Sequence, residues 1–172
     1  ELFKVSGDRL EVRAWGGDRM AAAGAEVVKH YRELAFMGFT QVVMNLRTIL
    51  RNLENCKKDI EAFKPDALIL IDYPGFNWWI ARRAKARGIP VIYYGTPQVW
   101  AWASHRVKKM QRYVDHVLCK LPFEEQWFRE RGCNATYVGH PYFDELRNRS
   151  LDQEFVAKLA ASNQPLVTIL PG

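Results

Sequence analysis

From Tyr73 to Val114 the sequence contains no aspartate or glutamate. Cysteine is scarce as well. Cys56, Cys119 and Cys133 are odd in number and show no C-x-x-C spacing, which argues against a disulfide framework or zinc knuckle and for a reducing compartment. Long apolar runs are missing too. The longest aliphatic run is Ala67 to Ile71, far short of the ~20 residues that span a bilayer, and no signal peptide is visible. Motifs of self-contained active sites are equally absent. There is no G-x-S-x-G, no G-x-G-x-x-G and no P-loop, and no His/Asp cluster has metal-ligand spacing, so neither a nucleotide cradle nor a bound metal is expected.

What is present fits one globular domain. A chain of 172 residues with 48% hydrophobic and 26% charged residues can bury a sizeable core, and disorder and collagen-like repeats are excluded. The net charge of +6 is unevenly distributed. The acid-free stretch holds Arg82, Arg83, Lys85, Arg87, Arg106, Lys108, Lys109 and Arg112, while the other 17 basic residues are outnumbered by 19 acids. Trp78, Trp79, Trp100 and Trp102, four of the six tryptophans, lie there as well. A basic, aromatic segment suits an anionic partner such as phosphate, nucleic acid or a membrane surface. The plainer alternative is a solvated helix face.

Strand-like and helix-like segments alternate along the chain. Leu10–Trp15 reads as a strand into the Gly16-Gly17 turn, and Asp18–Ala23 as a helix stopped by Gly24. From Phe39 to Phe63 apolar residues recur every three or four positions, predicting a long amphipathic helix. Ala67–Ile71 is continuously aliphatic, as in a parallel strand covered on both faces. Helices are expected over Asn77–Arg87, Val107–Tyr113, Pro122–Arg131 and Leu151–Ala161. Strands are expected over Ile89–Tyr94, Val114–Leu118, Ala135–Val138 and Leu166–Leu170. This alternation predicts an open parallel α/β sheet with right-handed crossovers. Both ends look cut: Glu1–Val5 resembles a helix tail, and the last strand has no following helix.

In such sheets ligands bind outside the carboxyl ends of the strands. The first of those ends delivers Asp72, expected to be partly desolvated behind buried aliphatics and so raised towards a general-base range; capping or loop hydrogen bonding is the structural alternative. The second carries Gly95-Thr-Pro-Gln-Val-Trp-Ala-Trp102, in which Gln98 is a neutral donor and acceptor. Trp100 and Trp102 are too close in sequence for one helical face. The third carries His140 within Gly139-His-Pro141, either a phosphate or hydroxyl ligand or a structural histidine.

Six motifs in order then resemble one family. They are G-G-D-R-M-A-A-A-G (Gly16–Gly24), L-A-F-M-G-F (Leu34–Phe39), K-P-D with I-D-Y-P-G-F-N (Lys64–Asn77), P-Q-V-W-A-W (Pro97–Trp102), L-P-F-E (Leu121–Glu124) and G-H-P (Gly139–Pro141). Together they resemble the lipid-A-disaccharide synthases along essentially the whole chain. The resemblance implies an inverting glycosyltransferase of the two-domain GT-B type, with an open, mostly parallel Rossmann-like sheet and helices on both faces. It implies that UDP-2,3-diacylglucosamine is joined to 2,3-diacylglucosamine 1-phosphate in a β-1,6 linkage, with release of UDP and no cofactor. Residues 1–165 then correspond to an acceptor-binding domain lacking its first βα unit, and 166–172 to the first strand of a UDP-sugar domain. Asp72 matches the family's essential aspartate, the base for the acceptor 6-hydroxyl. Gly75 stands where a second acid is frequent, Thr96 where serine is usual, and Gly95 replaces a β-branched residue.

Asn77, Gln98, Trp100, Trp102, Arg106 and His140 are the candidate substrate contacts. The resemblance also implies a peripheral enzyme on the cytoplasmic face of an anionic inner membrane, for which Phe36, Phe39, Val42, Val43, Leu46 and Leu50 form a candidate membrane-facing surface. Core packing is the alternative for that surface. The family's opening G-E-x-S-G-D loop and the arginine of its L-P-G-S-R motif are not within the chain, so these residues alone are expected to be inactive. The alternatives are another two-domain UDP-sugar enzyme, either a glycosyltransferase or an epimerase, and a non-catalytic basic module binding membrane or RNA.

Overall fold

Strands alternate with helices, and every strand pairing described is parallel, in a computed structural model that describes residues 2–33, 43–161 and 165–169. This is the α/β class expected of an open Rossmann-like sheet. Among the described residues, one sheet has two strands and the other four. The chain divides into two units, Glu1–Leu68 with Tyr73–Val91, and Ile69–Asp72 with Ile92–Gly172.

The first unit contains α1 (Leu2–Ser6), β1 (Arg13–Gly16), α2 (Asp18–Ala22), β2 (Glu26–His30), α3 (Leu46–Phe63) and α4 (Pro74–Lys85). β1 and β2 pair in parallel with an irregularity between Ala14 and Trp15. The strand β2 has no counterpart in the sequence reading, because only two β-branched residues stand between charges there. The described part of the long helix begins at Leu46, and Lys64 in the left-handed region ends it ahead of Pro65. Asp59 of α3 fastens β1. One carboxylate oxygen accepts from Arg13 Nε at 2.7 Å and the other from Trp15 Nε1 at 2.8 Å. Leu53 and Cys56 of α3 are buried, as are Phe76, Ile80, Ala81 and Ala84 of α4, while Ile60 and Phe63 are only half-buried. α4 begins at Pro74, three residues before the expected start, because proline is pre-set for the first helical turn.

The second unit holds α5 (Val99–Trp102), a 3-10 turn (Ser104–Arg106), α6 (Val107–Tyr113), β5 (His116–Cys119), α7 (Pro122–Arg129), β6 (Ala135–Tyr137), α8 (Pro141–Asn148) and α9 (Gln153–Ala160). With β3 (Leu68–Ile71) and β4 (Val91–Tyr94), the four-stranded sheet runs β3-β4-β5-β6. Its core gathers Tyr93, Val99, Met110, Val117, Cys119, Phe128 and Ala135, each at most 2% exposed.

Two expectations need correction. Ala67–Ile71 is not covered on both faces, since Leu70 is buried while Ile69 and Ile71 are nearly half exposed. β3 is an edge strand of its sheet, and alternating side chains point to opposite faces. The strand expected from Leu166 is also not formed over the described residues 165–169, where Leu166, Val167 and Ile169 are exposed and no described strand pairs with them. α5 and α8 fall where only loops were expected, and α5, at four residues, is too short for periodicity to register.

Candidate functional site

Asp72 follows β3 directly and adopts φ +47°, and Tyr73 adopts φ +41°. Left-handed backbone costs an L-residue about 1–2 kcal/mol, with Asp among the better tolerated and a bulky aromatic among the worse. Two such residues in succession persist only where surrounding contacts hold them, and outliers of this kind gather at working sites. One such contact is the Tyr93 hydroxyl, which donates to the Asp72 carbonyl at 2.6 Å from a fully buried position on neighbouring β4. Asp72 itself is exposed. The burial on which its expected desolvation rested is therefore missing, because the strand before it lies open on one face.

At the end of β4, Gly95 has φ +63°, and a Cβ there would stand 3.3 Å from Nζ and Cε of Lys120 at the end of β5. The Lys120 side chain thus lies over the Gly95 backbone. Thr96 is buried, and its hydroxyl has no hydrogen-bond partner among the described residues. Burial, and then the Asp144 carboxylate, push the Tyr94 phenol above its ordinary value.

The expected aromatic pair divides sharply. Val99 and Ala103 are buried and anchor both ends of α5, Trp100 is half-buried, and Trp102 is 85% exposed. Trp100 Nε1 donates to Glu124 at 3.0 Å, and its ring meets Phe123 edge to face at 4.8 Å. Glu124 is 2% exposed and also accepts the main-chain N–H groups of Lys120 and Leu121 at 3.1 and 3.0 Å. Gln98 and Arg106 are exposed.

His140 caps α8, its Nδ1 accepting from the Tyr142 N–H at 3.2 Å, which is the structural role weighed for it. Asn77 is buried in α4 of the first unit. The Gly16-Gly17 pair of that unit is explained by crowding, since a Cβ on Gly16 would collide with the Met20 thioether and one on Gly17 with the Tyr31 ring. The acid-free run is shared between the units. Arg82, Arg83 and Lys85 ride on α4, where Arg87 just beyond pairs with Glu61, and Lys108, Lys109 and Arg112 are exposed on α6.

Phe36, Phe39 and Val42 lie outside the described residues. Val43, Leu46 and Leu50 are each more than half exposed, with Arg47 and Arg51 also exposed on α3. No helix among the described residues is long and apolar enough to cross a membrane. No group of three or more His, Cys, Asp or Glu side chains among them is gathered for a metal ion.

Sequence reasoning missed Tyr93 and Lys120 as parts of the site, and it quoted Glu124 only within a motif. Tyr93 looks like any strand residue, and only the pairing of β4 beside β3 reveals its hydroxyl contact. Glu124 carried a readable signal, an acid three residues after the residue preceding the Pro122 helix start.

The chain is similar to known proteins over nearly its whole length. The sequence model of the family described as Lipid-A-disaccharide synthetase matches residues 4–172. The curated lipid-A-disaccharide synthase of Koribacter versatilis is 38% identical over 99% of this chain and 45% of its own length. That of Myxococcus xanthus is 40% identical over 91% of the chain and 41% of its own. A Coxiella burnetii relative is 35% identical over 95% and 44%. The chain therefore spans less than half the length of these curated relatives.

Proposed function

We propose, from the premise that the chain belongs to the lipid-A-disaccharide synthase family, that it is the acceptor-binding part of a hexosyltransferase that builds the lipid A disaccharide. The substrates are UDP-2,3-diacylglucosamine and 2,3-diacylglucosamine 1-phosphate. Asp72 takes the proton from the acceptor 6-hydroxyl as that oxygen bonds to the anomeric carbon of the donor sugar. The bond from that carbon to UDP breaks on the opposite face, UDP leaves with the electron pair, and the anomeric configuration inverts.

The observation that carries this reading is Asp72 itself, an exposed carboxylate directly beyond a parallel strand, on a left-handed backbone braced by Tyr93. Open α/β sheets bind their ligands at such strand ends, and a general base must be reachable by the hydroxyl it deprotonates. Residues of the UDP-sugar domain are needed for turnover, so the 172-residue chain alone is inactive. The enzyme works at the cytoplasmic face of an anionic inner membrane. The exposed Leu46 and Leu50 beside Arg47 and Arg51 on α3 support this, as apolar and basic side chains on one helix suit such a surface.

The test is Asp72→Asn in the full-length enzyme. Loss of the base is expected to lower disaccharide formation about 10²–10⁴-fold, with vesicle binding retained. Turnover within threefold of the wild type would remove Asp72 from the chemistry. UDP release by the 172-residue chain with both lipid substrates would refute its inactivity.

A further inference from the structure

We infer that Glu124 is a positioning residue for the V-W-A-W segment, its buried carboxylate fixing the Trp100 indole in the orientation in which the acceptor is bound. This rests on the reading of that segment as part of the acceptor site. A glutamate at the third position of a helix ordinarily caps that helix by accepting the N–H group just before it. Glu124 does this for Leu121 through Oε2 and accepts the Lys120 N–H on the same atom. Its other oxygen, Oε1, turns away from its own helix and accepts the indole N–H of Trp100. Such a carboxylate is costly to bury, and three N–H donors offset that cost.

The capping role alone does not need Oε1, nor does it need a side chain that is 2% exposed. The consequence lies in Trp100. Glu124 holds the edge of the indole that carries its N–H, and Phe123 meets the ring edge to face. With Val99 and Ala103 buried at either end, the helix has little rotational freedom, and the orientation of its exposed residues Gln98 and Trp102 follows from where Trp100 is pinned. Glu124 is too buried to meet a substrate, so its effect reaches the acceptor through Trp100.

Glu124→Gln separates capping from positioning. Glutamine also completes this type of cap. Its single carbonyl oxygen satisfies the two main-chain N–H groups, which turns its NH₂ towards the indole N–H, donor against donor. In the full-length enzyme this variant is expected to raise the acceptor KM about tenfold, the scale of one hydrogen bond to a charged group. The donor KM and kcat stay within twofold. The fluorine resonance of 5-fluorotryptophan at position 100, assigned by its loss in Trp100→Phe, should shift. Trp100→Phe alone should raise the acceptor KM similarly, and adding Glu124→Gln to it should change nothing further.

An unchanged acceptor KM in Glu124→Gln, additive effects in the double variant, or an unmoved fluorine signal would overturn the inference. Should Glu124→Gln fail to fold, Trp100→Phe, which leaves the cap intact, decides alone, and a normal acceptor KM there overturns it too. A wild-type enzyme that forms no disaccharide would instead sink the proposed function, and this inference with it.

Discussion

The hydroxyl of Tyr93 donates a 2.6 Å hydrogen bond to the main-chain carbonyl of Asp72, reaching from one strand to the end of the next. Asp72 is the proposed base, yet the contact is to its backbone. Tyr93 thus bears on the conformation that aims the carboxylate and leaves the carboxylate itself accessible. Tyr93→Phe keeps the buried ring and deletes this bond. It should cost about 1 kcal/mol of stability, the net worth of a typical hydrogen bond, read from urea unfolding. The kcat of the full-length enzyme should fall while the acceptor KM holds. A normal kcat would mean that other contacts suffice to hold the left-handed turn.

Gly75 is exposed at the second position of α4, and a side chain there would meet nothing within 4 Å. Gly75→Asp should therefore fit without rearrangement. Glycine is a poor helix former and an acid in the first turn favours the helix dipole, so a gain of about 0.5–1 kcal/mol is expected. The urea midpoint should rise with an unchanged slope.

All three cysteines are free and buried. Burial foremost, then the Asp59 carboxylate, pushes the Cys56 thiol up to about 12, and burial followed by Glu124 and Glu125 does the same for Cys119. An ordinary thiol would ionise near 9.0. Between about pH 9 and 12 the unfolded chain therefore loses protons that the folded chain retains. Stability from these groups is fully present below pH 9 and declines as pH rises through that window. Urea midpoints measured at pH 8, 9.5 and 10.5 should fall in that order. A maleimide at pH 8 should modify the native protein slowly and the unfolded chain at all three thiols.

Leu46 and Leu50 are each more than half exposed on α3. Substituting both by serine should leave the unfolding midpoint nearly unchanged, because surface replacements are usually within about 0.5 kcal/mol. The same change should weaken sedimentation of the full-length enzyme with anionic vesicles. A large loss of stability with unaltered vesicle binding would assign these residues to the core instead.

The class of fold was legible in the sequence because glycines and prolines punctuate it. Gly24, Gly88 and Gly132 each follow a helix and sit at positive φ, and α6 occupies the residues that its pattern predicted. What stayed hidden is local or relational. β2 offers Val27 and Val28 between charged neighbours, and only its pairing with β1 makes it a strand. The exposure of Asp72 was misjudged because a continuous aliphatic run does not reveal that its strand lies at a sheet edge. Asp72 and Trp100 could be singled out as residues, whereas Tyr93 and Glu124 act through partners 21 and 24 residues away in the chain. Separations of that size leave no periodic trace.

Lys120 lying across the backbone of Gly95 also bears on which changes this lineage can absorb. Position 95 is constrained twice, by a left-handed φ that disfavours most side chains and by the end of the Lys120 chain, which would have to give by a few tenths of an ångström. A side chain there is accommodated most easily if the end of Lys120 swings aside or position 120 is shortened as well. Position 75 carries no such debt and is free to drift by single steps. Random mutagenesis under selection should accordingly return varied residues at 75. At 95 it should return chiefly glycine, with exchanges enriched among variants that carry a shorter side chain at 120.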